Sequence, residues 1–307
     1  MTIRGMADAG KRWHGLSANT RAILWMLLGT VMFSVMTALI KAMAARYDSL
    51  QIAFFRSFCS FLTFLPIALA GGFQAFRTAM PLQHVLRGMV GVMAMLTGYY
   101  AVANLPLALS TSISFATPLF LVVLAVFALG ETVGWRRWGA TMVGFAGVLV
   151  CVRPTHGIAP AAVVGMVSAA LVACSVVVTK KMPVSERAIT IVIWSTMTSS
   201  VAALIPALAV WRTPDLQDLV FLAATGVVGA GGQAIFVHSY RLGEASVVGP
   251  VDYVRLVFAT LIGLAWFGEW PDQWTAVGAA LIVGSTAYIA HREAVLRRKV
   301  PRPQPVA

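Results

Sequence analysis

Residues 127–150 read FALGETVGWRRWGATMVGFAGVLV, and residues 266–285 read WFGEWPDQWTAVGAALIVGS. Each ends an apolar run on a Gly-Glu pair, Gly130-Glu131 in one and Gly268-Glu269 in the other. Each then sets a Trp ahead of a Gly, Trp135 with Gly139 and Trp274 with Gly278. Gly268 follows Gly130 by 138 residues, and about the same offset sets Lys41 opposite Lys181. The chain reads as a duplication.

What is duplicated follows from composition. Of the 307 residues, 59% are hydrophobic and 11% are charged, against about 25% charged in an ordinary soluble domain. Mean hydropathy is +0.82. The apolar residues fall into blocks near 22–44, 50–70, 85–103, 107–129, 138–152, 159–179, 189–211, 217–238, 245–267 and 273–290. About 20 apolar residues span the roughly 30 Å hydrocarbon core as a helix. The expectation is an all-α integral membrane protein of ten transmembrane helices. Five spans per copy is an odd number, so the second copy is inverted relative to the first. Inverted repeats belong to alternating-access carriers, with substrate near the midplane between the halves. The expected segments are a cytoplasmic stretch 1–21, a first repeat 22–152, a second repeat 159–291 and a basic cytoplasmic tail 292–307.

The distribution of positive charge agrees with this layout. With both termini inside, the inner segments carry Arg4, Lys11, Arg12, Arg21, Arg77, Arg136, Arg137, Lys180, Lys181, Arg187, Arg241, Arg292, Arg297, Arg298, Lys299 and Arg302. The outer segments carry only Arg46, Arg153 and Arg212. Cytoplasmic loops collect Lys and Arg, so the net charge of +12 reads as topology rather than as a nucleic-acid surface. The block beginning at Ala22 is too long for a signal-peptide core and reads as a retained first span. The location expected is the cell inner membrane, multi-pass, with both termini cytoplasmic.

The same residues resemble a known family. Two copies of the Gly-Glu, Trp, Gly signature, Lys41 ending the first span, Arg56 in FFRS and Pro118 in ATPLF are similar to the drug/metabolite transporter superfamily, in its ten-span EamA branch. The resemblance covers about residues 22–292, and the stretch FGEWPDQWTAVGAALIVGSTAYIAHRE looks like the branch with proposed carriers of S-adenosylmethionine, riboflavin and amino acids. It implies two five-helix bundles around a central cavity lined by the first, third, fourth, sixth, eighth and ninth helices. The second helix is peripheral in that family.

Charges inside spans point to the site. PVDYVRLVFA, residues 250–259, holds Asp252 and Arg255 within a greasy run. Either charge at mid-membrane costs about 2.5–3.5 kcal/mol, and a spacing of three puts both on one helix face. They form either a substrate-binding group with Tyr253 or a pair locking the helix into the bundle. Other candidates for substrate contact are Gln233 after three glycines, Tyr99, Ser34, Phe33, Ser114 and Phe115. Arg56 and Lys41 read as snorkelling or paired groups, and Glu131 and Glu269 as structural or gating residues at span ends.

Other classes are excluded or weakened. Cys59, Cys151 and Cys174 sit in separate apolar blocks, and the five histidines are scattered, so no metal or cofactor is expected. No G-x-x-x-x-G-K-[ST] run occurs, which excludes an ATP-driven pump within the chain. A membrane-embedded enzyme needs clustered acids and histidines, and these are dispersed. The function expected is a secondary transporter of a small organic metabolite, an amino acid or related zwitterion or anion such as S-adenosylmethionine. A multidrug or riboflavin/vitamin transporter of the same fold is the alternative. The partners expected are the small-molecule substrate and membrane lipid, without nucleic acid; monomer and homodimer are both open.

Overall fold

The computed structural model describes residues 16–70, 73–130, 133–152, 159–183, 186–243 and 245–299. Glu131 lies outside them. Every regular element among the described residues is a helix, with no strand. The helices are α1 (Ala18–Ala44), α2 (Ser49–Ala70), α3 (Pro81–Asn104), α4 (Leu107–Ser114), α5 (Thr117–Leu129), α6 (Trp135–Val152), α7 (Pro160–Lys180), α8 (Ala188–Ala209), α9 (Leu216–Leu242), α10 (Val254–Phe267) and α11 (Gln273–Lys299). A one-turn helix, Ala245–Val248, and a 3-10 turn, Gly249–Tyr253, precede α10.

Local sequence explains the boundaries. The Ser17 hydroxyl accepts from the Thr20 amide at 3.1 Å and starts α1, while the Asp215 carboxylate accepts from the Asp218 amide at 2.7 Å and starts α9. Such caps satisfy amides that the first turn leaves unpaired. Pro81 and Pro160 occupy first-turn positions of α3 and α7, where a missing N–H does no harm. Gly130 and Gly268 end α5 and α10 in the left-handed conformation, both at φ 66°. A Cβ there costs roughly 1–2 kcal/mol, which accounts for Gly at both duplicated corners.

Among the described residues, seven stretches are long and apolar enough to cross a membrane: α1, α2, α3, the pair α4–α5, α7, α8 and α9. The expected fifth, ninth and tenth spans, now α6, α10 and α11, fall outside that set. Arg136 and Arg137 open α6, and α10 has only 14 residues because the 3-10 turn replaces its first part. Large apolar side chains face outward along the bundle, for example Ile67 at 61% and Ile205 at 72% exposure. So much open apolar surface fits lipid and not water.

The main packing partners are α1 with α9, α3 with α7, α2 with α8, and α6 with α11. The α2–α9 contact is matched by α3–α8, and α5–α7 by α10–α1. Small residues permit the closest crossings. A Cβ on Gly278 would lie 2.5 Å from the Gly147 carbonyl oxygen and 2.8 Å from the Cys151 amide nitrogen. Both neighbours are backbone and cannot swing aside. Gly278→Val is therefore expected to lower stability by about 1–3 kcal/mol through overpacking. A thermal melt of the purified protein that matched wild type would refute the tight α6–α11 crossing.

Candidate functional site

Helix α4 ends at Phe115–Ala116, and α5 restarts with Pro118 in its first turn. The later 3-10 turn places a second interruption at the duplicated position. Phe115 and Tyr253, 138 residues apart, meet there edge to face at 5.1 Å between ring centroids. Broken helices at membrane depth occur where they are buried in protein or border a cavity.

A cavity of about 340 Å³ lies beside the first interruption. Its wall includes Met36 and Thr37 of α1, Arg56 of α2, Met95 and Tyr99 of α3, Ser110, Thr111 and Ser114 of α4, Thr117 of α5, Ser168 and Ser175 of α7, and Arg255 of α10. The volume is within the range of roughly 300–1,000 Å³ typical of small-molecule sites. Hydroxyls and two guanidinium groups give it polarity.

Arg255 is held from several directions. Its guanidinium lies 4.8 Å from the Phe115 ring centroid and 5.9 Å from that of Phe33. Nη2 is 3.9 Å from Asp252 Oδ2. Arg255 Nε and Asp252 Oδ1 are both buried without a hydrogen-bond partner. The pair is thus loose, with donor and acceptor capacity to spare in a region where unmade hydrogen bonds are expensive.

The sequence candidates divide among several places. Arg255, Tyr99 and Ser114 line the cavity. Phe33 and Phe115 sit behind the Arg255 guanidinium, Asp252 beside it, and Tyr253 behind Phe115. Ser34 is buried and donates to its own helix at the Thr30 carbonyl, 2.9 Å away. Gln233 is exposed and absent from this wall. Tyr99 is 8% exposed and its neighbour Tyr100 is 43% exposed, so one tyrosine faces inward and the other outward.

The residue whose position the sequence reading missed is Arg56. The lining helices implied by resemblance include the eighth span, yet no α9 residue borders this cavity, and α2 supplies Arg56 instead. Glycines on α9 are the reason. A Cβ on Gly226 would lie 2.7 Å from the Arg56 carbonyl oxygen, and one on Gly229 would lie 3.5 Å from Arg56 Nε. The bare α9 face presses against α2 and sends the guanidinium toward the cavity. The available signal was the run Gly226, Gly229, Gly231, Gly232 read together with an arginine seven residues into a span.

A second cluster closes one end of the bundle. The Lys41 ammonium contacts the Glu269 carboxylate and donates to the Leu105 carbonyl at 2.6 Å. Glu269 Oε2 accepts from the Leu107 amide at 2.8 Å and so caps the start of α4. At the same end, Arg46 and Tyr47 donate to Asp218 at 2.9 and 2.8 Å. Gln51 exchanges two hydrogen bonds with the Arg212 backbone at 2.7 and 3.0 Å. At the opposite end Arg87 donates to Thr179 at 2.6 Å, and Thr78 donates to Glu186 at 2.7 Å.

Comparison with known proteins agrees with this architecture. The EamA-like transporter family matches twice, over residues 20–153 and 159–290. The chain belongs to the EamA-like transporter family. It is 31% identical over 279 residues to the S-adenosylmethionine uptake transporter of Rickettsia prowazekii, covering 91% of this chain and 95% of that one. It is 29% identical over 280 residues to a riboflavin transporter of Rhizobium johnstonii, covering 90% and 93%. With the pseudopaline exporter of Pseudomonas aeruginosa it shares 28% identity over 267 residues, covering 85% and 93%. A solved crystal structure superimposes with a TM-score of 0.56 at 20% identity, covering 89% of this chain and 99% of that one, which speaks to the fold alone. The EamA member described here is a multi-pass membrane protein, and the Arg255 cavity is its candidate substrate site.

Proposed function

We propose that this EamA transporter is a secondary carrier that moves an amino acid or related carboxylate-bearing zwitterion or anion, with S-adenosylmethionine, whose amino-acid end is such a zwitterion, as the first candidate, by alternating access. The carrying observation is the cavity itself, with two guanidinium groups and several hydroxyls meeting beside two broken helices. Arginine matches a carboxylate with forked donors, while the Tyr99 ring on the wall meets an apolar or cationic remainder. The relatives named for S-adenosylmethionine and riboflavin define two contrasting substrates. The arginines on the wall give the carboxylate of the first a partner that riboflavin does not need.

Ten spans in two inverted halves, with both termini cytoplasmic across the inner membrane, form the frame of this proposal. Support comes from the double family match, the matching left-handed corners at Gly130 and Gly268, and the helix pairs that exchange under the duplication. Lys41 and Glu269 then serve as a latch on the outer face.

The test is flux in proteoliposomes containing the purified protein alone. Saturable uptake of S-adenosylmethionine without ATP, trans-stimulated by the same compound, is the expected result. Absence of flux for S-adenosylmethionine, riboflavin and the amino acids together would overturn the assignment.

A further inference from the structure

We infer that Arg56 receives a monoanionic carboxylate of the transported molecule and is what makes the cavity select for one. The inference rests on the transport reading above and adds the residue and the chemical group.

The guanidinium of Arg56 is a cation with no carboxylate among the described residues to balance it. Among the described residues, Lys41 has Glu269, Arg46 has Asp218 and Arg255 has Asp252, but no carboxylate lies within 4 Å of Arg56. Its one hydrogen bond runs from Nη1 to the Met95 thioether sulfur at 3.6 Å, and Ser57 also points to that sulfur, at 3.5 Å. A thioether is a weak acceptor. Arg56 Nε is buried with no acceptor at all.

The surrounding residues hold the group in this state. Gly229 backs the guanidinium without a side chain, and Met36 fills the space beside it, 2.7 Å from where a Gly229 Cβ would be. Arginine does not shed its proton in proteins. Arg56 is partly exposed, but its Nε is buried without an acceptor, which is costly, and the cavity is the direction from which a counter-charge can come.

Charge count selects the ligand class. Asp252 offsets Arg255, which leaves the wall with one uncompensated positive charge, that of Arg56. A carboxylate matches it; a dianion such as sulfate carries more charge than the wall can balance.

The test compares S-adenosylmethionine with its decarboxylated form as uptake substrates and competitors. Wild type is expected to favour the carboxylate form by roughly ten- to a hundredfold, as for a hydrogen bond to a charged group. In Arg56→Gln that preference is expected to fall to near unity, with sulfate failing to compete in either protein. Arg56→Lys, which retains the charge, is expected to recover part of the preference. An unchanged preference in Arg56→Gln overturns the inference. So does an equal loss of both compounds with an unaltered melting temperature, since that marks a role in transport that does not read the carboxylate. If wild type takes up neither compound, the choice of S-adenosylmethionine fails separately. Phenylglyoxal labelling of Arg56, read by mass spectrometry, then decides the anion role. Protection by acetate and not by sulfate upholds it, and absence of acetate protection overturns it.

Discussion

Arg255→Ala is expected to abolish substrate flux while the protein still inserts and folds. The side chain borders the cavity and is positioned by Phe115, Phe33 and Asp252. Loss of a charged hydrogen bond to substrate lowers affinity roughly ten- to a hundredfold, and alanine also removes the cation that the aromatic faces support. Removing one partner leaves Asp252 alone, and breaking a buried pair costs about 3–5 kcal/mol. The Arg255 and Asp252 side chains retain 24% and 20% exposure, so the penalty here is smaller. The double variant Asp252→Asn/Arg255→Ala removes it altogether. If the double variant melts like wild type and still transports nothing, the loss belongs to substrate contact. Wild-type flux in either variant would remove Arg255 from the site.

Glu269→Ala is expected to loosen the end of the bundle that holds Lys41. One carboxylate there meets the Lys41 ammonium and caps the α4 amide of Leu107, while Lys41 also grips the Leu105 carbonyl. Helices α1, α4 and α10 are thus joined through a single side chain. Loss of the cap costs about 1 kcal/mol, and loss of a part-buried ion pair brings the total to roughly 3 kcal/mol. That amount shifts a closed-to-open equilibrium about a hundredfold. The readout is accessibility. In a background with Cys59, Cys151 and Cys174 replaced, a cavity cysteine at Ser110 is expected to react with an impermeant thiol reagent at least tenfold faster once Glu269 is alanine. An unchanged rate would show that the cluster holds the fold without gating the cavity. Transport is expected to fall in the same variant, because a carrier that favours one open state cycles poorly.

The extent of the sequence signal differs between frame and site. The duplication was plain from Gly-Glu and Trp spacing because those residues do backbone work: a left-handed corner requires Gly wherever it occurs, and it occurs twice. The charged pair at Asp252 and Arg255 was also plain, since a charge in a greasy run stands out whatever surrounds it. The places of Gln233 and Ser34 were not. A polar side chain on a membrane helix can lie off the cavity wall, as Gln233 does, or satisfy itself on its own backbone, as Ser34 does at Thr30. Choosing between Tyr99 and Tyr100 needed the rotation of α3, which no local pattern in a nearly all-apolar helix encodes.

Composition, block length and the repeated corners by themselves determined that this is a helical membrane protein with a duplicated plan, because lipid demands internally satisfied backbone and few charges. Only the tertiary structure decided which charges meet the cavity. Arg56 reaches it because the glycine face of α9 leans on α2 from the other half of the chain, and Lys41 meets Glu269 across 228 positions. Such encounters depend on how helices cross, and crossing is set by side-chain shape summed over both partners rather than by either sequence segment alone.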